Sequence, residues 1–599
     1  MKRTVSILVL LLFTFPVNRL VLNVRGDANG SLVDETLSVR LNDYLNRSST
    51  FGFSGVVLVA KDGKVLLKKA WGFADQKRNV LNDTDTLFLI GSLSKQFTAA
   101  AILRLEVVGK LNTSDLISKH IADVPPDKAK ITIHHLLTHT SGLPTSYPAL
   151  SESPALNIHE AVNRIMKTPL IFPTGKQYAY SNIGYLLLAA VVEQVSGRPF
   201  RDYLRYNLFK PAGMSHTSFA GDTSLHRKER VAHGYNRSVD WGTPDARLTR
   251  KSAFGFGDIM STVDDLYRWK TALQRDSILS EEAKAKFFAP QTPIEDGVDY
   301  AYGWQISRTM LGSKLISHGG DASPEGWTAE FRWYVDDSAV VIILANQMRD
   351  MWGVTHAVKD NIEQLILGKQ IATMPPASIR IAPRVLSRFI GTYSLPSGDG
   401  FKVWKESNRL LIAAEGQEAI DLLLGEPDDK TSYRSRQFNQ QALAIVRGMS
   451  NEDYAPLQIA LERMGHRMTL AEARASYGER WVKWRTLEQQ YGPLRSTQIL
   501  GTVRLAVDYV WVTHVRVNFE RGTRIYRWYW WPEGIQRVYA DDYLPLTNPL
   551  APASLNEFNS FDLFVGANAK VSFNSKVRGV VTGLTLHGKT GPSIARKIE

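Results

Sequence analysis

Leu87-Phe88-Leu89-Ile90-Gly91-Ser92-Leu93-Ser94-Lys95-Gln96-Phe97-Thr98-Ala99 passes from a short apolar run into a helix-like segment that continues to residue 108. A serine hydroxyl is a poor nucleophile until a base removes its proton, and a lysine three residues later on a helix shares its face, so Ser92 and Lys95 are expected to be neighbours. At a helix N-terminus the free backbone N–H groups and the dipole favour negative charge, which suits an oxyanion forming at an attacked carbonyl. The lysine acts as a base only if burial or nearby cations lower its pKa from about 10.4. Spacing alone is weak evidence, because ordinary residue usage yields about two or three Ser-x-x-Lys matches by chance in a chain this long.

Before this stretch, Ser54-Gly55-Val56-Val57-Leu58-Val59-Ala60 and Val65-Leu66-Leu67 flank Lys61-Asp62-Gly63-Lys64. Asp-Gly between two apolar runs predicts a β-hairpin. After it, residues 96–284 read mostly as helices with long loops, including a helix over 184–195 that stops at Ser196-Gly197. Strand signals return at 302–307, 315–318, 327–334 and 339–345, with a turn at Val335-Asp336-Asp337-Ser338. Strands at both ends with helices between predict an α+β domain: one antiparallel sheet completed by both ends of the segment, flanked by helices, beside a mainly helical subdomain.

A chain of 599 residues exceeds one ordinary core, so two or three domains are expected. A helix over 351–367 leads to Ala372-Thr373-Met374-Pro375-Pro376, which reads as a linker over 371–384 between a domain at 34–370 and a β-rich, barrel-like region at 385–599. That region carries a helical, charged insertion near 439–490. Its run Arg524-Ile525-Tyr526-Arg527-Trp528-Tyr529-Trp530-Trp531 suggests either an aromatic platform for sugars or bases, or the packing of a β-barrel core; strand propensity favours the barrel core.

Composition narrows the function classes. Hydrophobic residues are 44% and charged residues 22%, which describes a folded chain. The net charge of +13 is spread along the sequence, so it indicates a generally basic surface rather than nucleic-acid binding. The absence of cysteine excludes disulfides, thiolate metal sites and cysteine nucleophiles. Lys2 and Arg3 precede an apolar stretch over 5–15, and Gly26-Asp27-Ala28 offers a small-x-small site, so residues 1–28 read as a signal peptide of a periplasmic or secreted protein. An uncleaved N-terminal anchor is the alternative, and no later stretch is long and apolar enough for a transmembrane helix.

Two further groups can meet Ser92 and Lys95. Tyr180-Ser181-Asn182 follows the loop Phe172-Pro173-Thr174-Gly175. Tyr180 could pass a proton to a leaving group, and the Asn182 amide could hold Lys95 or a substrate carbonyl. His318-Gly319-Gly320-Asp321 ends a strand. Its glycines allow close backbone approach, the Asp321 N–H could join that of Ser92 as an oxyanion hole, and His318 could donate a hydrogen bond or positive charge. His135 and His139 share i,i+4 spacing, but zinc peptidases place Glu where this chain has Leu136, and a third ligand is lacking, so no metal is expected.

With these groups in order, the chain resembles the serine β-lactamase and penicillin-binding-protein-like superfamily, specifically the class C β-lactamase-related serine hydrolases that include esterases and D-amino-acid peptidases. The likeness runs from about residue 53 to 346. It includes Leu136-Leu137-Thr138-His139-Thr140-Ser141-Gly142-Leu143-Pro144, Pro211-Ala212-Gly213-Met214 and Ser261-Thr262-Val263-Asp264-Asp265-Leu266. The resemblance implies that Ser92 is acylated, that Lys95 and Tyr180 share acid/base duty, that Asn182 positions substrate, and that water releases the acyl group. It implies no metal or organic cofactor. The antibiotic-hydrolysing members carry Lys-Thr-Gly where this chain has His318-Gly319-Gly320, losing a cation and a hydroxyl that recognise a substrate carboxylate. The C-terminal region resembles the lipocalin-like extensions of these hydrolases, most clearly over Val571-Ser572-Phe573-Asn574 and on to Leu584.

Three functional readings follow. The first is an exported serine esterase, or amidase or peptidase of the D-amino-acid type, acting on a small-molecule or short-peptide acyl substrate. The second is a DD-carboxypeptidase or β-lactamase acting on cell-wall peptides or β-lactams. The third is an inactive homologue kept for cell-wall contact, against which the intact Ser92, Lys95 and Tyr180 argue.

Overall fold

The computed structural model describes residues 28–146, 157–222, 230–237, 239–246, 253–349, 352–371, 373–406, 409–424, 429–463, 469–504, 510–531, 534–541, 546–562, 567–576, 580–588 and 591–598. The expected signal segment, up to residue 27, lies outside the described residues.

The first domain is built on an eight-stranded antiparallel sheet. Its strands are β1 (Gly55–Lys61), β2 (Lys64–Trp71), β3 (Thr292–Glu295), β4 (Val298–Tyr300), β5 (Gln305–Arg308), β6 (Lys314–Ala322), β7 (Trp327–Tyr334) and β8 (Ala339–Ala345). They lie side by side in the order β3-β4-β5-β6-β7-β8-β1-β2. The two ends of the domain meet where β1 pairs with β8, from Gly55 opposite Ala345 to Lys61 opposite Ala339. The β1–β2 hairpin turns at Asp62 and Gly63, both with φ near +50° to +75°, the left-handed backbone that an Asp-Gly hairpin turn uses.

Alternation along β1 explains its unbroken apolar run. Val56, Leu58 and Ala60 face one core with Val340, Ile342 and Leu344, whereas Val57 and Val59 face another with Val341 and Ile343. The first core is closed by α2 (Ser94–Val107) and the helical subdomain, including α3 (Ile133–Leu137), α4 (Asn182–Ser196) and α5 (Val263–Leu273). The second is closed by α1 (Ala28–Thr50), through Leu37, Leu41, Tyr44 and Leu45, and by α6 (Val354–Ile366), through Val358 and Ile362. Helix α4 ends where the sequence predicts, with Gly197 at φ +65°.

The C-terminal region contains a closed eight-stranded barrel: β9 (Gly391–Ser394), β10 (Gly400–Glu406), β11 (Arg409–Glu415), and, after an insertion, five strands from Leu546–Pro552 to Pro592–Lys597. Tyr393 opposite Lys597 closes it. Within it, Ala567–Ser575 pairs antiparallel with Val581–His587, which takes in the described residues of 571–584.

The insertion corrects two expectations. Its helices are Asp429–Ser450, Ala455–Arg463 and Leu470–Tyr491, so they begin ten residues before 439, in a polar stretch without an apolar period. The aromatic run 524–531 lies not in the barrel but on a strand of a separate four-stranded sheet (Leu494–Arg504, Trp511–Phe519, Gly522–Trp531, Gly534–Asp541). There Tyr526, Trp528 and Trp530 pack with Trp484, Ile445 and Val446 from the helices, while Tyr529 on the other face joins the barrel cluster, so the run is barrel core on one face only.

The barrel seats against the α1 side of the first domain. Ala551 and Phe561 enter the α1–α6 core, and the Phe561 ring lies 5.4 Å from that of Phe51. Ile379, in the connecting segment, donates its backbone N–H to Pro552 O at 2.8 Å. The Ser92 loop lies on the other side of the sheet, against α2.

Candidate active site

Ser92 occupies a single 3-10 turn, Gly91–Leu93, that leads into α2. This turn lies against the free edge of β6. The β5–β6 pairing stops at Gln305 opposite Ser317, which leaves His318–Ala322 with no strand on that side among the described residues. The gap is closed by backbone approaching backbone. A Cβ on Gly320 would fall 2.0 Å from Ile90 O, and one on Gly91, at φ +52°, would fall 3.1 Å from the Asp321 nitrogen. Only glycine fits at these two positions, and their closeness brings the Asp321 amide beside Ser92.

Lys95, one α2 residue into the domain core, is fully buried. Its Nζ lies 3.0 Å from Ser92 Oγ, 2.8 Å from Asn182 Oδ1 and 3.4 Å from Phe256 O. The rings of Tyr180, Tyr185 and Phe256 surround it, with Nζ 4.6 Å from the Tyr180 centroid. Burial in this aromatic cage pushes the Lys95 pKa well below that of a free lysine. A neutral amine has two N–H donors and one lone pair. Asn182 Oδ1 and Phe256 O can only accept, so they take the two N–H groups, and the lone pair faces the Ser92 hydroxyl.

Tyr180 completes the group from the loop before α4, with its ring over Lys95 Nζ and its buried hydroxyl on the Ser92 side. Burial raises its pKa far above that of a free tyrosine, and the nearby Ser92 side chain only partly offsets this, so the phenol is held in its protonated form. Asn182 opens α4 behind the cap residue Ser181, whose Oγ accepts the Gly184 N–H at 3.1 Å. The structure thus brings Ser92, Lys95, Tyr180 and Asn182 together from two segments about ninety residues apart.

His318 is placed differently from expectation. Its Nδ1 lies 2.6 Å from Gly319 O, an acceptor, so Nδ1 carries the proton; Nε2 then accepts the Tyr300 hydroxyl at 3.1 Å. Burial first, and Lys95 next, lower its pKa to about 4, so it supplies no positive charge at neutral pH. Gly319 faces the opposite side of the sheet, where a Cβ would lie 3.2 Å from Glu330 Oε2. The Asp321 side chain also turns to that side, with Oδ2 3.2 Å from His356 Nε2 on α6. Only its backbone borders the Ser92 loop.

His135 and His139 serve separate hydrogen bonds. His135 Nδ1 accepts the Thr132 N–H at 3.2 Å in the capping box of α3, and His139 Nδ1 accepts the Ser181 N–H at 3.0 Å. Two groups around the site carry no mark in the sequence. The Phe256 carbonyl carries no sequence signal, and Tyr300 is a single aromatic on a three-residue strand. His139 stood out only through its spacing from His135.

Residues 50–360 match the beta-lactamase family. Penicillin-binding protein 4* of Bacillus subtilis (strain 168) is 30% identical over 403 residues, which cover 64% of this chain and 87% of that protein. The teichoic acid D-alanine hydrolase of Staphylococcus aureus (strain MRSA252) is 28% identical, covering 51% of this chain and 73% of that one. Among solved structures, a penicillin-binding protein from Bacillus halodurans aligns with TM-score 0.47 and 28% identity, covering 54% of this chain and 98% of its own. The family match over half of the sequence, together with the relatives, establishes that this chain belongs to the beta-lactamase family of serine hydrolases.

Proposed function

We propose that the protein is an exported hydrolase that cleaves ester or amide bonds through an acyl-enzyme on Ser92, of the esterase or D-amino-acid amidase and peptidase type. The observation that carries this reading is the buried Lys95 amine 3.0 Å from Ser92 Oγ, driven toward its neutral form by burial. In the forward step Lys95 takes the Ser92 proton as Oγ attacks the acyl carbon. The backbone N–H groups of Ser92 and Asp321 receive the developing oxyanion, a contribution typically worth about 10²-fold or more in rate per donor. Tyr180, kept protonated, gives its proton to the leaving oxygen or nitrogen and is resupplied by Lys95. Water then attacks the acyl carbon by the reverse route, and Asn182 keeps Lys95 aligned through both halves.

Substrates with little need for a carboxylate anchor suit this site, because His318 is neutral and both its nitrogens are engaged within the protein. The teichoic acid D-alanine hydrolase among the relatives favours an aminoacyl ester as the natural class. The relation to penicillin-binding protein 4* keeps cell-wall peptides as the second reading. Export is supported by Lys2, Arg3 and the apolar residues 5–15. No helix among the described residues is long and apolar enough to cross a membrane.

The test exposes the protein and its Ser92→Ala variant to nitrophenyl esters, D-alanyl esters and amides, and a fluorescent penicillin. Ser92-dependent turnover of esters or amides, with slow penicillin acylation, is expected. Rapid penicillin acylation with poor ester turnover moves the assignment to the second reading, and turnover that survives Ser92→Ala overturns both.

A further inference from the structure

His139 lies behind the reacting groups, in the loop that follows α3, and the chemistry above leaves it unused. It is fully buried, with backbone φ +58°. Its carbonyl accepts the Ala179 N–H at 2.9 Å, and its Nδ1 accepts the Ser181 N–H at 3.0 Å. These are the residues on either side of Tyr180. The imidazole also lies against the Tyr180 ring, with centroids 4.3 Å apart, and against Tyr300 at 4.6 Å. Tyr300 in turn hydrogen-bonds His318.

We propose that His139 is a positioning residue: by holding the chain on both sides of Tyr180, it sets the Tyr180 hydroxyl against Ser92 and the Asn182 amide against Lys95. An amide nitrogen can only donate, so Nδ1 must remain a bare acceptor and the ring neutral. The surroundings enforce this, since burial first, then Lys95 and His318, drive the His139 pKa well below its usual value. The left-handed backbone fits the same purpose. It lets one residue present its carbonyl and its ring nitrogen to the same strand of chain, which an ordinary side chain adopts only at a cost. The bland alternative is a histidine that merely fills space, in which case the acceptor atom is irrelevant.

This inference rests on reading Ser92, Lys95 and Tyr180 as the reacting group. The test compares full-length wild type, His139→Asn and His139→Gly. Both replacements accept left-handed backbone, and only Asn offers an oxygen near the place of Nδ1. The readouts are the rate of Ser92 labelling by a fluorophosphonate, kcat and KM for p-nitrophenyl acetate, and the thermal melt. His139→Gly is expected to lose about 10²-fold in kcat with KM within about threefold of wild type, the scale of an ångström misplacement, and His139→Asn to recover at least about tenfold of that loss. Equal kcat in the two variants, or wild-type labelling of His139→Gly, overturns the inference while leaving Ser92 as nucleophile. If His139→Gly does not fold, His139→Asn decides alone: kcat within about tenfold of wild type supports the acceptor role, and a larger loss contradicts it. Labelling that persists in Ser92→Ala removes the underlying reading, and the inference with it.

Discussion

Replacing Lys95 by Arg tests the base directly, because arginine keeps a positive charge under all working conditions and cannot accept the Ser92 proton. A lysine at its ordinary pKa of about 10.4 would be neutral in only about one molecule in 2,500 at pH 7, and each unit of depression raises that fraction tenfold. Burial of Lys95 among Tyr180, Tyr185 and Phe256 supplies depression in that direction. A positioned general base contributes about 10²–10⁴-fold, so Lys95→Arg should lower kcat/KM for a nitrophenyl ester by that factor, or about 3–5 kcal/mol of transition-state stabilisation. The assay is stopped-flow acylation from pH 5 to 10. In wild type the rate should rise with pH as Lys95 loses its proton and reach a plateau below pH 10, since burial holds the Lys95 pKa well below that of a free lysine. Lys95→Arg retaining activity within tenfold of wild type, or a wild-type rate that climbs without plateau to pH 10, would refute the argument.

Tyr180→Phe removes the phenol while keeping the ring over Lys95, and should cut kcat for poor leaving groups such as amides by about 10²–10⁴-fold but cost nitrophenyl esters less, because a good leaving group needs no proton; comparison of amide and ester turnover checks this. Gly320→Ala drives a Cβ against the Ile90 carbonyl, so it should destabilise the domain by about 1–3 kcal/mol and abolish measurable acylation by displacing the Asp321 amide, as read by thermal melts and active-site titration. Phe561→Ala empties the contact between barrel and α1, and should cost about 3–5 kcal/mol in stability while leaving kcat and KM at low temperature unchanged, because that contact lies across the sheet from Ser92.

The first domain is legible in the sequence because its signals are local. Asp62-Gly63 between apolar runs specifies the hairpin, and the unbroken run Val56-Val57-Leu58-Val59 reports a strand covered on both faces. Ser92 and Lys95 can be paired from spacing, since one helical turn links them. His139 and Tyr300 cannot, since their partners lie 42 and 18 residues away and depend on how the loops fold back. The His318 ring illustrates the same limit. Its sequence position indicates a place beside substrate, but the Tyr300 hydroxyl and the Gly319 carbonyl occupy both nitrogens, and burial, with Lys95 next, keeps it neutral. In the C-terminal region, alternating aromatics mark a strand without saying what covers it. Residues 524–531 therefore read as barrel core, and only the helices Asp429–Ser450 and Leu470–Tyr491, which supply the other wall, show a separate sheet.

The most direct test of the central claim is peptide mass mapping after brief exposure to a nitrophenyl ester or a fluorophosphonate at pH 7. The account predicts one covalent adduct, on Ser92, which forms slowly in Lys95→Arg and not at all in Ser92→Ala. An adduct on another residue, or full turnover by Ser92→Ala, would contradict it.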